Sequence, residues 1–427
     1  MSYSYIDRVG ERFLNGLGVR RGNPRPPDDR PAERRPGPAH QSADVAHPGR
    51  VRSGTAIQAA GALDMRSPYK IPSPIERLRC WSALCLAMAP IVLFTMSLAT
   101  PLYADETGSY SLEGSIPADS KYWDYSTVDS DRGQLYVGRL GGVLAVDLKT
   151  KKLTEPLFEG ELIHAVVPVL GHLVVAADGA KNELKVYDLD ANSMLTTIAV
   201  GGHPDAIAFD QRTNTVVTVN KESQDLTLVD AATWKVRGTV KLTGDPEFAA
   251  SNGDGTLYVN IADQGRIDSV DIAARHIISG TKLKGCRDPS GIAYDRASAL
   301  VISVCGNGLL KFLAASDLKE VASIAVGRGA DAVILDEQRR LVFVPAGTDG
   351  VLNVVVIRSA TDIALLTTVK TAVGASSGAV DPASGRVYLP TGRRIRAPAG
   401  PGAWHPPAIA KGSFRILVIG PNGLITH

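Results

Sequence analysis

Cysteine is scarce in this chain, four residues in 427. No His or third Cys accompanies Cys286 and Cys305 at zinc-ligand spacing, so there is no structural zinc signature around them. Aromatic residues make up only 6%. The H-E-x-x-H helix of a zinc protease, the Walker glycines and the dinucleotide-binding glycines are all absent. Nothing in the spacing brings a Ser, a His and an Asp together for nucleophilic catalysis. A strong net charge is missing too, the formal value being +2. Residues 1 to 79 carry fourteen Arg and Lys against eight Asp and Glu, 80 to 104 carry no charge, and the remainder holds 32 basic against 36 acidic residues. A mildly acidic body offers no electrostatic footprint for nucleic acid, which is therefore not expected as a partner.

What is present is 44% hydrophobic residues with 42 Gly and 26 Pro. That is the composition of a buried core interrupted by many turns, and it points to an all-β protein. Length alone does not fix the domain count, since all-β barrels and propellers often use 250 residues or more as one unit.

Residues 1 to 64, with "RGNPRPPDDRPAERRPGPAH" among them, have no apolar periodicity and bury too little surface to offset ordering entropy, so they are expected to be disordered. Met65 opens a different stretch. Arg66, Lys70, Arg77 and Arg79 precede about 25 uncharged residues that end in the small-residue triplets Ser97-Leu98-Ala99 and Leu102-Tyr103-Ala104. Residues 65 to 104 thus have the layout of a secretory signal peptide. Its internal position has its simplest explanation if translation begins at Met65 and the first 64 residues are a start-site artefact. The alternative is a retained anchor with its Arg-rich flank inside the cell. Both readings export the residues from 105 onward to the periplasm or beyond, and membrane contact is expected only through an uncleaved 80 to 104 segment.

From residue 120 onward the chain repeats itself. "PDAIAFDQRTNTVVTVNKESQDLTLVDAATWKVRGTVKL" (204 to 242) aligns with "PEFAASNGDGTLYVNIADQGRIDSVDIAARHIISGTKL" (246 to 283), and further copies lie at 289 to 326 and 330 to 369. Two more precede them, and "SGAVD", "RVYLP" and "FRILVIG" form a seventh that lacks its fourth strand. Third-strand ends fall at Asp147, Asp188, Asp230, Asp271, Ala314 and Arg358, spacings of 41 to 44 residues. Four short strands in 40-odd residues is the signature of a β-propeller blade. The expected fold over 105 to 427 is a seven-bladed propeller, closed by "SYSLEGSI", residues 109 to 116, which precedes the first copy and can supply the missing strand.

"WDYSTVDSDRGQLYVG", "LYVN" and the "HPDAIAFD" strand opening resemble the YVTN-repeat β-propellers, including YncE-like exported proteins. The likeness spans about residues 109 to 420, and "RVYLPTG" with "PPAIAKGSFRILVIG" looks like the closing blade of that family. The resemblance implies fold and export and says little about activity.

In a propeller the innermost strand of each blade lines the channel. The residue after each blade-opening position should sit at the channel mouth: Asp124, His164, Asp205, Glu247, Ser290, Asp331 and Ser376. Four carboxylates and an imidazole suit a divalent cation such as calcium, with Asp124, Asp205, Glu247 and Asp331 as candidate ligands. The competing reading makes the same residues turn-formers that bond neighbouring backbone N–H groups. Second-strand ends bring Arg139, Asp178, Asn220 and Asn260 to the same face, either to orient a polar ligand or as turn chemistry. The insertion "TGRRIRAPAGPGAWHPPAIAKGSF", 391 to 414, should fold over the mouth as a lid or simply neutralise it, carrying Arg393, Arg394, Arg396, Trp404 and His405.

Cys286 falls just before the first strand of the copy at 289 to 326 and Cys305 at the end of its second. Those strands are antiparallel neighbours, so the pair is expected to form a disulfide in an oxidising compartment.

Two functions fit. One is an exported non-catalytic propeller, acting as a monomer without a cofactor, that binds a protein, peptide or small ligand on its channel face. The other is a lactonase-like hydrolase in which a cation at the acidic ring polarises a carbonyl and activates water. The family resemblance adds a third role, as an accessory to a quinone-dependent dehydrogenase.

Overall fold

The computed structural model describes residues 109–395 and 406–422. The extension 1–64, the signal-like stretch 65–104, and Arg396, Trp404 and His405 lie outside the described residues. Apart from a 3-10 turn at Ala262–Gln264, the described residues are all-β.

Repeated four-stranded antiparallel sheets dominate. Residues 204–241, 246–282, 289–325 and 334–370 each form one such sheet in simple chain order. Residues 123–199 form a longer sheet, because strand Gln134–Asp147 pairs with Trp123–Asp129 and also with Glu159–Val169. A further sheet is assembled from both ends of the described chain: Ala379–Asp381, Arg386–Thr391, Arg415–Asn422 and, outermost, Ser109–Pro117. Ser109 pairs with Asn422 and Pro117 with Arg415. The Tyr110 ring packs edge-on to Phe343 at 5.0 Å, and Glu113 pairs with Arg386 at 2.7 Å. The strand foreseen as the donor to the incomplete repeat therefore pairs there.

Strand composition follows layer. Second strands such as Leu173–Asp178, Thr215–Asn220, Leu300–Cys305 and Leu341–Ala346 are buried at every position, because neighbouring sheets cover both faces, and they read as mainly apolar runs without alternation. Outermost strands face solvent on one side, and Glu320–Ala325 accordingly alternates exposed with half-buried residues. Most apolar clusters draw on two adjacent sheets, as where Val217, Leu226 and Leu228 meet Leu257, Val259 and Ile261. Burying one such side chain is worth roughly 1.5–3 kcal/mol.

The Asp at third-strand ends turns the chain. Asp147, Asp188, Asp230 and Asp271 accept hydrogen bonds from the backbone N–H of Thr150, Ala191, Thr233 and Ala274. Lys151, Asn192, Trp234 and Arg275 follow in the left-handed region, with φ of 61°, 50°, 56° and 59°. One turn thus recurs at the repeat period.

First strands lie side by side. Pro204–Asp210 packs against Glu159–Val169 and Pro246–Ser251, and Pro246–Ser251 against Pro289–Asp295. Gly291 permits one close approach, since a Cβ there would sit 2.6 Å from the Ala332 backbone. The Cys286–Cys305 disulfide is formed, with Cα atoms 5.4 Å apart, and ties the entry of its sheet to the end of the second strand.

Candidate functional site

The starts of the first strands converge, and local irregularity aims their side chains. In the pairing of first with second strands, the register shifts between Trp123 and Ser126, Ile163 and Val166, Pro246 and Ala249, and Pro289 and Ile292. A bulge re-aims side chains that a regular strand would send to alternate faces. It lets two consecutive residues address one space, so Tyr125 joins Asp124 and Phe248 joins Glu247.

The polar groups form a linked chain. The Tyr122 hydroxyl donates to Asp124 Oδ2 at 3.1 Å, and His164 Nδ1 lies 2.7 Å from Asp124 Oδ2 and 3.2 Å from Asp205 Oδ1. Lys221 follows, its Nζ 3.8 Å from Asp205 Oδ2 and 2.8 Å from Glu247 Oε2. Across the site, Ser290 Oγ donates to Asp331 Oδ1 at 3.2 Å, the Ser376 hydroxyl also bonds the Asp331 carboxylate, and Ser377 Oγ donates to the Asp124 carbonyl at 3.0 Å. All seven sequence-designated mouth residues are thus gathered at one place.

Charge is unevenly compensated. Burial raises Glu247 to about 7, with Asp205 and Asp331 adding to the rise and Lys221 opposing it. Burial likewise raises Asp331 to about 6, helped by Asp124 and opposed by Arg394, Ser290 and Ser376. Asp205 behaves differently: burial would raise it, yet Lys221, His164 and His203 hold it below the ordinary range. Burial would lower His164, but Asp205 and Asp124 outweigh it and keep the imidazole above its usual value. His203, beside it, is lowered by burial and by His164.

An aromatic pair occupies the same space. The rings of Tyr125 and Phe248 meet at 4.7 Å. Burial pushes the Tyr125 hydroxyl well up, and Asp205, Asp124, Asp331 and Glu247 all push it the same way. The pair lines a cavity of about 290 Å³ whose other walls include Val128, Ile292, Ile334 and Val380, with Ser126, Thr127 and Asp331 among its polar lining.

The second-strand ends take no part. Arg139 is 1% exposed: its Nε donates to the Tyr122 carbonyl at 3.2 Å and its guanidinium lies 4.0 Å over the Phe414 ring. Asn220 bonds Asp225 and Thr227, Asn260 bonds the Ser290 and Gly291 carbonyls, and Asp178 accepts from the Glu161 and Leu162 backbones. All four are buried, and their hydrogen bonds serve the frame.

Of the insertion, Arg394–Ile395 pairs with Ala408–Ile409 in a small ribbon. The Arg394 guanidinium lies 5.7 Å over Trp123 and acts electrostatically on Asp331, while Arg393 is a backbone partner of Ser413. Ser376 lies within Gly374-Ala375-Ser376-Ser377-Gly378, the spacing of a nucleophile elbow. That elbow runs from strand to helix, whereas here the segment leads into strand Ala379–Asp381.

Tyr125, His203, Lys221 and Phe248 were not foreseen. Each lies within two residues of a position that was: Tyr125 and Phe248 follow Asp124 and Glu247, His203 stands two before Asp205, and Lys221 follows Asn220. One residue per repeat is what a regular strand would aim at the mouth, and the bulges double it.

No protein-family model and no curated protein sequence matches the chain. Among solved structures it is similar to hydrazine synthase of Kuenenia stuttgartiensis, with a TM-score of 0.56 and 14% identity over 64% of this chain and 94% of that one. A chain of the mitotic checkpoint complex gives 0.58 and 13%, covering 74% and 95%. At such identities the likeness concerns fold, and with the repeated four-stranded sheets it makes this chain an all-β protein of the propeller type.

Proposed function

We propose that the chain is an exported seven-bladed propeller of the YVTN-repeat kind, and that its channel mouth binds a ligand or peptide through a cationic group on an alkyl stem. Several features support seven blades. The 123–199 sheet contains two repeats, the other five sheets one each, and Trp123–Asp129 packs against both Glu159–Val169 and Ala379–Asp381. Export is supported by the apolar stretch 80 to 104 and by the Cys286–Cys305 bridge, since disulfides persist in oxidising compartments.

The observation that carries the ligand class is the pairing of Asp331 and Glu247, raised to about 6 and about 7, with the Tyr125–Phe248 rings and the cavity those rings line. Buried carboxylates with raised pKa are short of positive charge, and an ammonium or guanidinium supplies what a proton otherwise would. The ring faces favour the same cation. The cavity is side-chain sized, and its apolar walls suit an alkyl stem with the charge at Asp331.

The hydrolase reading stands second. It calls for carboxylate oxygens turned to a hard cation, whereas Lys221 bridges Asp205 and Glu247, and His164 bridges Asp124 and Asp205.

An N-acetylated lysine tripeptide amide, titrated into the full chain beside its N-acetylated norleucine counterpart, tests the proposal. The lysine peptide should bind at least about tenfold more tightly, and Asp331→Asn should remove most of that difference. Equal binding of the two peptides, or no loss in the variant, would overturn it.

A further inference from the structure

On the wall of the mouth opposite Asp331, two imidazoles and a carboxylate come together in a way the alkylammonium reading does not use. One ligand atom from each of His164, His203 and Asp205 lies within 4.8 Å of the others. The two rings are 4.8 Å apart and tilted by 58°, so they face a shared space. We propose that His164, His203 and Asp205 bind a borderline divalent transition metal of the zinc class, with Asp124 orienting His164.

The donor set selects the metal class. Calcium takes six to eight oxygens, whereas two imidazoles with one carboxylate suit zinc, copper or nickel. Three protein ligands leave a coordination position open towards the channel. The His164 Nδ1 contact of 2.7 Å to Asp124 is the carboxylate–histidine arrangement that presents the far ring nitrogen to a metal.

The surroundings hold this geometry. His203 stands at φ 54°, in the left-handed region, with its backbone N–H donating to Asn182 Oδ1 at 2.8 Å. Gly179 covers the ring edges: a Cβ there would lie 2.7 Å from His164 Nε2 and 3.4 Å from His203 Cε1, so only glycine leaves the space between the imidazoles clear. Asp124 and Asp205 both lie against His164, so a divalent ion held here meets carboxylate charge on two sides. Both Asp205 oxygens have neighbours, Oδ1 at 3.2 Å from His164 Nδ1 and Oδ2 at 3.8 Å from Lys221 Nζ, and the ion would displace the longer Lys221 contact, Lys221 keeping Glu247 at 2.8 Å. Zinc–nitrogen and zinc–oxygen bonds of about 2.0–2.2 Å put tetrahedral ligand atoms roughly 3.3–3.6 Å apart, so groups now up to 4.8 Å apart close by up to roughly 1.5 Å on binding.

Calorimetric titration of the metal-free full chain with zinc chloride tests the site, with calcium chloride as comparison. Zinc should bind one-to-one at this site and raise the melting temperature, while calcium should do neither. His203→Asn keeps a residue that tolerates the left-handed backbone and removes the imidazole, and Asp205→Asn removes the carboxylate. Each should weaken zinc at least about 100-fold, whereas His276→Gln, on an exposed outer strand, should leave it unchanged. Unliganded melting temperatures close to the parent protein would show both variants folded. A parent protein whose melting temperature ignores zinc, or folded variants that bind it undiminished, would overturn the proposal. Failure of the lysine peptide alone would leave the metal site standing.

Discussion

Glu247 shows how one residue can register the chemistry of the whole mouth. Its folded pKa of about 7 stands above its ordinary 4.5 because it is buried near Asp205 and Asp331, with Lys221 only partly compensating. Between those two values the folded state holds a proton that the unfolded chain has released, so this group's contribution to stability falls as pH rises through that window. Glu247→Gln removes the titration. Denaturant unfolding at pH 5 and pH 7.5 should show a smaller loss in the variant than in the parent, by on the order of 1–3 kcal/mol at about 1.4 kcal/mol per pKa unit. Other titrating groups remain in both proteins and cancel to first order in the comparison. Equal losses in parent and variant would remove Glu247 from the charge account. Residues of this sort were half legible. The acidic position after each strand opening stands out in the aligned repeats, but its neighbours Tyr125 and Phe248 do not, because their direction depends on a register shift that no single strand encodes.

Strands and turns were the most readable level. The mainly apolar second strands, the recurring third-strand Asp and the spacing of 41 to 44 residues each carry a physical meaning that survives in the structure as burial, turn and sheet. Arg139, Asn220 and Asn260 were harder to read. A polar residue at the end of a strand looks alike whether it faces a ligand or a carbonyl of the next sheet, and only tertiary packing distinguishes the two. The disulfide belongs to this scale as well. Cys286 and Cys305 enclose a loop 19 residues apart in sequence, and replacing both with Ala should cost roughly 2–4 kcal/mol in the chain-entropy account. Denaturant midpoints of the oxidised parent and the double variant give the number directly. A change below about 0.5 kcal/mol would mean that the bridge constrains little.

At the scale of the whole molecule, sheet pairing between Ser109–Pro117 and Arg415–Asn422 joins the two ends of the described chain in one sheet. That juxtaposition holds Trp123, Asp124 and Tyr125 beside Ser376 and Ser377 although some 250 residues separate them. The acidic mouth is therefore a product of the complete assembly of sheets, which is why a repeat-by-repeat reading located its residues and missed their partners. The contacts linking His164 to Asp124 and Asp205, and Ser290 to Asp331, each cross from one repeat to another. The most direct test of the central claim is the affinity of the full chain for the lysine tripeptide amide between pH 5 and pH 8. With its N-terminus acetylated, the peptide carries a constant charge there, since only the lysine side chains are ionised, while Asp331 and Glu247 lose their protons, at about 6 and about 7. Affinity should rise by about tenfold or more with increasing pH, and the rise should shrink in Asp331→Asn. Affinity that stays flat or falls across that range would contradict a cation-binding mouth.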